Sequence, residues 1–146
     1  MELVLVVVAL AAGAGLPVQA GANAAMARYT GRPEWAALVN CAVAFLAVAA
    51  WVIALRLAPP PGPALARAPW WAWTGGVLGA FYVVAVVILA PRLGVAATLG
   101  LSVAGQMALA VAFDHFGAMG LEVRPISGTR LLGAALLVAG VVLVRR

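Results

Sequence analysis

The amino-acid sequence predicts an all-α integral membrane protein with five transmembrane helices. Of its 146 residues, 66% are hydrophobic and 9% are charged, whereas a soluble domain has about 45–50% apolar and about 25% charged residues. The mean hydropathy is +1.14, and a chain of this composition has too few polar groups to cover a surface in water. A soluble enzyme, a secreted disulfide-bonded domain and a disordered tail are therefore excluded.

Five apolar stretches are long enough to cross the bilayer, since a helix needs about 20 mostly apolar residues to cross a hydrocarbon core of about 30 Å. We expect helices because backbone groups in lipid must be satisfied within the segment, and the sequence lacks the alternating pattern of barrel strands. Together they form a single five-helix transmembrane domain over residues 1–146. The predicted helices span about residues 3–27, 35–55, 70–90, 93–113 and 126–144.

The connections between these helices are short. Residues 58–68 are too rich in proline to be helical and are expected to form a stiff linker. Pro91 and Arg92 leave almost no room between the third and fourth helices, which predicts a tight antiparallel hairpin. Residues 114–125 form the longest polar stretch. With no soluble domain expected, a receptor or a membrane-anchored enzyme with an extramembrane catalytic unit is excluded.

The first apolar stretch has an alternative interpretation as a cleaved signal peptide. The tripeptide Val18-Gln19-Ala20 resembles a cleavage site with small residues. However, Met1 and Glu2 provide no positive charge ahead of the apolar run, and that run continues past Ala20. These features favour a retained transmembrane helix.

The arginines lie singly or in pairs between apolar runs, so they are interpreted as lipid-headgroup anchors and not as contacts to nucleic acid. Five crossings place the termini on opposite sides, and an excess of arginine on one side would set the orientation. Because the two sides carry nearly equal numbers of arginines, we expect the same chain to insert in both orientations (dual topology) and to form an antiparallel homodimer. Such a dimer would supply the inverted symmetry of transporter folds. The alternative is one orientation with a separately encoded partner. The N-terminal side carries Arg56, Arg67, Arg124 and Arg130, and the other side carries Arg28, Arg32, Arg92, Arg145 and Arg146.

Two predicted helices carry polar residues at helical spacing. Gln19 and Asn23 share a face of the first helix with Gly15, just after Pro17, which removes a backbone hydrogen bond and is the expected hinge. In the fourth helix, polar residues repeat every fourth position and end in an acid. Such faces predict either a polar substrate path or interhelical hydrogen bonds, and two of them favour a path. The fourth-helix residues are Thr98, Ser102, Gln106 and Asp114; Tyr82 and Asn40 are weaker candidates on other helices.

The titratable residues lie outside the predicted helix centres. Asp114 and His115 form the one plausible pair, and histidine changes its charge near neutral pH. The pair is a candidate for gating or proton coupling, although it could also simply cap a helix. A proton-coupled exporter of hydrophobic cations normally has a carboxylate near the middle of the membrane. The four acids, Glu2, Glu34, Asp114 and Glu122, do not provide one.

The sequence contains no metal-ligand cluster, no nucleophile–base arrangement and no phosphate-binding loop, so we expect neither an enzyme nor a cofactor. Small residues at Gly75 and Gly79 are expected to pack against a neighbouring helix, with a dimer contact as the alternative.

Several segments together resemble the YdcZ-type family, the short five-helix members of the drug/metabolite transporter superfamily. The resemblance implies a bacterial inner-membrane transporter equivalent to one half of the ten-helix members, so that two chains make one transporter. It also assigns the positions to test, namely Gln19, Asn23, Tyr82, Gln106, Asp114 and His115. The segments are GLPVQAGANAAMAR (15–28), WWAWTGGVLGAFYV (70–83), APRLGVAATLGLSVAGQ (90–106), DHFGAMGL (114–121) and RPISGTRLLGAALLVAGVVLV (124–144).

These observations favour a secondary transporter that exports a small polar or amphipathic metabolite by alternating access, with a small-molecule substrate and membrane lipids as its partners. Substrate-binding residues would be Gln19, Asn23, Tyr82, Ser102 and Gln106. Two alternatives remain: a non-transporting membrane scaffold or regulatory subunit, and a flippase for a lipid-like substrate.

Overall fold

The computed structural model describes residues 2–120 and 122–144. Within these residues the chain forms helices joined by short connections, and no strand is present. Two single turns of 3₁₀-helix, Trp70–Trp73 and Ala118–Gly120, precede and follow longer helices. The α-helices are α1 (Glu2–Thr30), α2 (Pro33–Ala54), α3 (Gly62–Ala66), α4 (Thr74–Leu93), α5 (Val95–Phe116) and α6 (Gly128–Val144).

Four segments are long and apolar enough to cross a membrane: α1, α2, α4 with its preceding turn, and α5. The predicted all-helical membrane architecture is thus confirmed. The fifth predicted span corresponds to α6, which has 17 residues and a length of about 26 Å at about 1.5 Å per residue. It begins at Gly128 because Ser127 caps it: the Arg130 amide donates to Ser127 Oγ at 3.3 Å.

The chain divides into two compact units. One contains the residues up to Val18 together with the chain from Leu89 onward, and the other contains Gln19–Ile88. Both divisions therefore fall inside helices, one within α1 and one within α4. Arg145 and Arg146, which enter the predicted arginine balance, lie outside the described residues.

In the Gln19–Ile88 unit, α2 and α4 meet through small and β-branched residues. Ala36, Ala37 and Val87 are almost completely buried, and Val83 and Val84 pack against them. The packing face of α4 is thus formed by valines, and the expected contact through Gly75 and Gly79 is wrong for this unit. A methyl group added at either glycine would meet no atom within 4 Å.

In the other unit, α5 and α6 run against each other and approach closely at Gly100. A Cβ atom at this position would lie 2.9 Å from Cγ2 of Val141. The missing side chain therefore allows the two backbones to come together, as small residues commonly do between membrane helices.

The proline-rich linker between α2 and α4 contains one short helix, which corrects the expectation that residues 58–68 are not helical. Helix α3 covers Gly62–Ala66 and carries proline in its first turn. Proline is tolerated there because the first amides of a helix have no intrahelical partner, so the missing N–H removes no bond.

The junction between α4 and α5 is a single residue. Pro91 lies inside the last turn of α4, which continues to Leu93 instead of ending at the predicted position 90. The chain turns at Gly94, with φ 85° and ψ 150°. Its amide donates to the Ala90 carbonyl at 3.0 Å, and its own carbonyl accepts from the Thr98 amide at 3.0 Å. Because residues with a Cβ atom avoid this conformation, glycine is required here.

Replacing Gly94 by alanine is expected to destabilise the protein by about 1–3 kcal/mol, since a residue with a side chain is strained at this φ and ψ. Thermal unfolding of the purified protein in detergent measures the effect. Gly105→Ala is the matched control: it lies inside α5 with open space around it, and alanine favours the helix by about 1 kcal/mol. Equal melting temperatures for Gly94→Ala and wild type would refute the assignment.

Candidate functional site

The predicted site residues are divided between the two units. Gln19, Asn23 and Tyr82 belong to the Gln19–Ile88 unit, whereas Pro17, Ser102, Gln106, Asp114 and His115 belong to the other. Each group is described by itself.

In the first group, the two amides of α1 have different surroundings. The Gln19 side chain is exposed and donates from Nε2 to Oδ1 of Asn40 on α2 at 3.3 Å. Asn23, one turn further along, is buried with 7% of its surface exposed. Tyr82 on α4 is half-buried. Asn40, a weaker candidate by sequence, is therefore the interhelical partner of Gln19.

Pro17 does not divide α1, because the helix is continuous from Glu2 to Thr30. The helix therefore continues through the residue that the sequence predicts as a hinge. Proline lacks an N–H, so within the helix it cannot donate to the carbonyl of Gly13, four residues earlier. The boundary between the two units lies one residue after this proline, between Val18 and Gln19.

The hydroxyl groups of α5 are bound to their own helix. Thr98 Oγ1 donates to the Gly94 carbonyl at 2.8 Å, and Ser102 Oγ donates to the Thr98 carbonyl at 2.9 Å. Each hydroxyl has one proton, so in this state both can only accept a hydrogen bond from a ligand. Thr98 is buried, Ser102 is half-buried and Gln106 is exposed.

Asp114 forms an ion pair between the end of α5 and the start of α6. Arg130 Nη2 donates to Asp114 Oδ2 at 3.0 Å, and about a third of each side chain is exposed (32% and 35%). Arg130 Nη1 also donates to the Arg124 carbonyl at 3.2 Å, and the Arg124 amide donates to the Asp114 carbonyl at 2.7 Å. The pair therefore fixes the connection between the two helices.

Arg130 is the residue that sequence reasoning missed, since it was interpreted only as a headgroup anchor. The available signal was an acid near the end of one span and an arginine in the first turn of the next, 16 residues apart. A short connection brings such positions to the same end of two neighbouring helices.

His115 holds the same connection from its neighbouring position. Its Nδ1 accepts a hydrogen bond from the Ile126 amide at 3.3 Å, and its ring meets Phe116 edge-on with centroids 4.8 Å apart.

Two adjoining cavities lie along the contact between α5 and α6. The first, of about 260 Å³, begins at Asp114 and Arg130 and is otherwise lined by apolar side chains. The second, of about 440 Å³, continues away from the ion pair and is apolar throughout. They share Gly133 and Leu137. Together they form a groove with an ionic end and an apolar body, which we call the α5–α6 groove.

Within residues 2–120 and 122–144, no group of three His, Cys, Asp or Glu side chains is placed to hold a metal ion. The four acids lie in first or last helical turns or in a connection.

Long apolar helices, amide and hydroxyl groups within them and an ion pair at a helix end define a multi-pass α-helical membrane protein. The family described as "Putative inner membrane exporter, YdcZ" matches residues 4–143. The chain is also 31% identical over 140 residues to the inner membrane protein YdcZ of Escherichia coli (strain K12), covering 94% of this chain and 91% of the relative. No solved structure matches the chain.

The chain therefore belongs to the YdcZ family, and the resemblance inferred from its motifs is confirmed. It is a multi-pass protein of the bacterial inner membrane, and its family supports a membrane transporter. The family description points to export and away from catalysis.

Proposed function

We propose that the chain is a secondary exporter of a small polar or amphipathic metabolite, working by alternating access as an antiparallel homodimer of five-helix subunits. The observation that carries this proposal is uncharged polar chemistry inside apolar spans in both units: Asn23 is buried in α1, and Ser102 and Gln106 follow each other on α5. Polar groups are costly in lipid and commonly face a bundle interior or a wet cavity. Amides and hydroxyls suit a substrate with hydrogen-bonding groups and no strong net charge.

A fifth span by α6 completes the subunit. Its 17 residues reach about 26 Å, close to the hydrocarbon thickness of about 30 Å, and local thinning of the bilayer accommodates a small shortfall. Five crossings in two opposite orientations would give the inverted pair of subunits found in many transporters.

Prolines within two helices support a rocking motion. Pro17 lies inside α1, and Pro91 lies inside the last turn of α4. Kinks in helices occur mainly where proline removes a backbone hydrogen bond. Bending near Pro17 would let the helix segments on either side of it change direction during alternating access.

The Asp114–Arg130 pair and His115 are the proposed gate. Asp114 lies in the last turn of α5 and Arg130 in the first turn of α6, so each charge faces the helix-dipole end of its own sign, which opposes it. Each charge therefore depends on its partner to offset the dipole of its own helix, so separation of the pair leaves both charges at unfavourable helix ends.

Expression of the chain in a bacterial strain that lacks its own homologue tests export. Untargeted mass spectrometry of the growth medium is expected to find at least one small polar or amphipathic compound enriched relative to a vector control. A scaffold or regulatory subunit would leave the medium unchanged, and a lipid flippase would alter the lipid leaflets instead.

Dual topology has a separate test. A cysteine placed at position 146 in a Cys41→Ala background is expected to react with a membrane-impermeant maleimide in about half of the molecules in intact cells. The remaining molecules should react only after permeabilisation. Labelling of all molecules, or of none, before permeabilisation would contradict dual insertion and favour a separately encoded partner.

A further inference from the structure

We infer that the α5–α6 groove is a binding site for a phospholipid whose headgroup carries both a phosphate and a primary ammonium, the phosphatidylethanolamine class. The groove has the two parts that such a lipid requires, an ionic end and an apolar body. This inference does not rest on the transport proposal.

The ionic end offers both charges at once. Asp114 and Arg130 are 3.0 Å apart and about a third exposed, so both remain accessible. The bonds described above use one oxygen of Asp114 and two nitrogens of Arg130, whereas a carboxylate has about four acceptor sites and a guanidinium has five N–H groups. A lipid ammonium can therefore bind the carboxylate while its phosphate binds the guanidinium.

The nearby charges favour a headgroup with no net charge. The second ion pair of this connection, Glu122–Arg124, is also neutral overall, with Arg124 Nη2 3.0 Å from Glu122 Oε2. A purely anionic headgroup would place its phosphate at Arg130 and next to the carboxylate of Asp114. Such a headgroup has no ammonium to offset the charge of that carboxylate.

The depth of the first cavity of the groove also fits a lipid. Asp114 lies two residues before the end of α5, a helix long enough to span the membrane, so the ionic end is at headgroup level. From there the first cavity follows α5 back to Met107, which is about 10 Å at about 1.5 Å per residue. This stays within one leaflet, about 15 Å thick. An acyl chain would contact Met107, Ala110, Val111, Gly133, Ala134 and Leu137.

The test uses the purified, delipidated full chain in detergent and native mass spectrometry with phosphatidylethanolamine or phosphatidylglycerol of identical acyl chains. Wild type is expected to bind phosphatidylethanolamine about tenfold more tightly, the effect of about one charged hydrogen bond. Phosphoethanolamine without acyl chains should not compete at the same concentration, because it lacks the part that fills the groove. Equal binding of the two lipids by wild type, or competition by the free headgroup, would overturn the inference without any variant.

Variants separate the two ends of the site. Asp114→Asn leaves Arg130 without its counter-charge and is expected to reverse the preference toward phosphatidylglycerol, which a merely structural role would not do. Gly133→Leu projects into both cavities, since a Cβ there has open space, and is expected to weaken both lipids about tenfold by displacing apolar contacts. Gly105→Leu, also in open space but outside the groove, is the control and should bind as wild type does.

Two further results would overturn the site. Unchanged preference for phosphatidylethanolamine in Asp114→Asn would remove the role of the ion pair. Loss of the dimer in Gly133→Leu with lipid binding intact would show that a second copy of the chain occupies the groove.

Discussion

Replacing Asn23 or Gln106 by alanine is expected to reduce export at least about tenfold each, and replacing both is expected to abolish it. Each change removes the amide that would hydrogen-bond the substrate, so the matching polar group of the substrate is left without a partner. A polar group left unpaired away from water costs about 1–3 kcal/mol. A loss of about 1.4 kcal/mol corresponds to a factor of ten. The amount of the exported compound in the medium, corrected for the amount of protein in the membrane, measures the effect.

The control for this pair is Leu109→Ala, a truncation on the same helix as Gln106 at a position that is 55% exposed. It should export as wild type does. Chemical crosslinking and thermal unfolding should find both amide variants folded and dimeric. Full export by both variants would refute the assignment of these amides to the substrate site.

Reversing one charge of the Asp114–Arg130 pair is expected to destabilise the protein, and exchanging both charges is expected to restore it. Asp114→Arg places two guanidinium groups where an ion pair now stands, and loss of a partner for a partly buried charge costs about 1–3 kcal/mol. In the exchanged protein, Asp114→Arg with Arg130→Asp, each charge instead complements its helix dipole, a gain of about 0.3–1 kcal/mol per charge. Melting temperatures in detergent should therefore place the exchanged protein at or above wild type.

The same connection provides a matched control. Glu122 and Arg124 are also 3.0 Å apart but are far more exposed, at 79% and 63%. Exposed pairs contribute about 0–1 kcal/mol, so reversal and exchange at these positions should both be close to neutral. An exchanged Asp114–Arg130 protein that melts below wild type would contradict the dipole argument, and one that melts no higher than the single reversal would contradict the ion pair as well. If the native polarity serves gating, the exchanged protein should also export less while being at least as stable.

The long apolar spans were predictable from the sequence because crossing a bilayer is a requirement on length and composition alone. The residues at which helices end and begin were less predictable. Pro91 was expected to end a helix, yet Gly94 ends it, since only a residue free to adopt φ 85° allows the turn there. The start of α6 depends on the hydroxyl of Ser127, a single cap within a polar stretch.

The candidate site was predictable in residue type but not in pairing. Polar residues at every fourth position identify one face of a helix. Their partners, however, depend on how neighbouring helices are rotated about their axes. Gln19 meets Asn40, 21 residues away, and Asp114 meets Arg130. Neither pairing follows from the periodicity of one helix. The hydroxyls of Thr98 and Ser102 donate hydrogen bonds to backbone carbonyls four residues earlier, a common arrangement for such groups inside helices.

Transport by the purified chain alone is the most direct measurement of function. Liposomes containing only this protein would be loaded with the compound that accumulates in the medium and then given the labelled compound outside. Export by this chain predicts exchange of label well above protein-free liposomes, and its loss in the Asn23→Ala, Gln106→Ala double variant. Equal uptake by protein-containing and protein-free liposomes would contradict a transporter built from this chain alone.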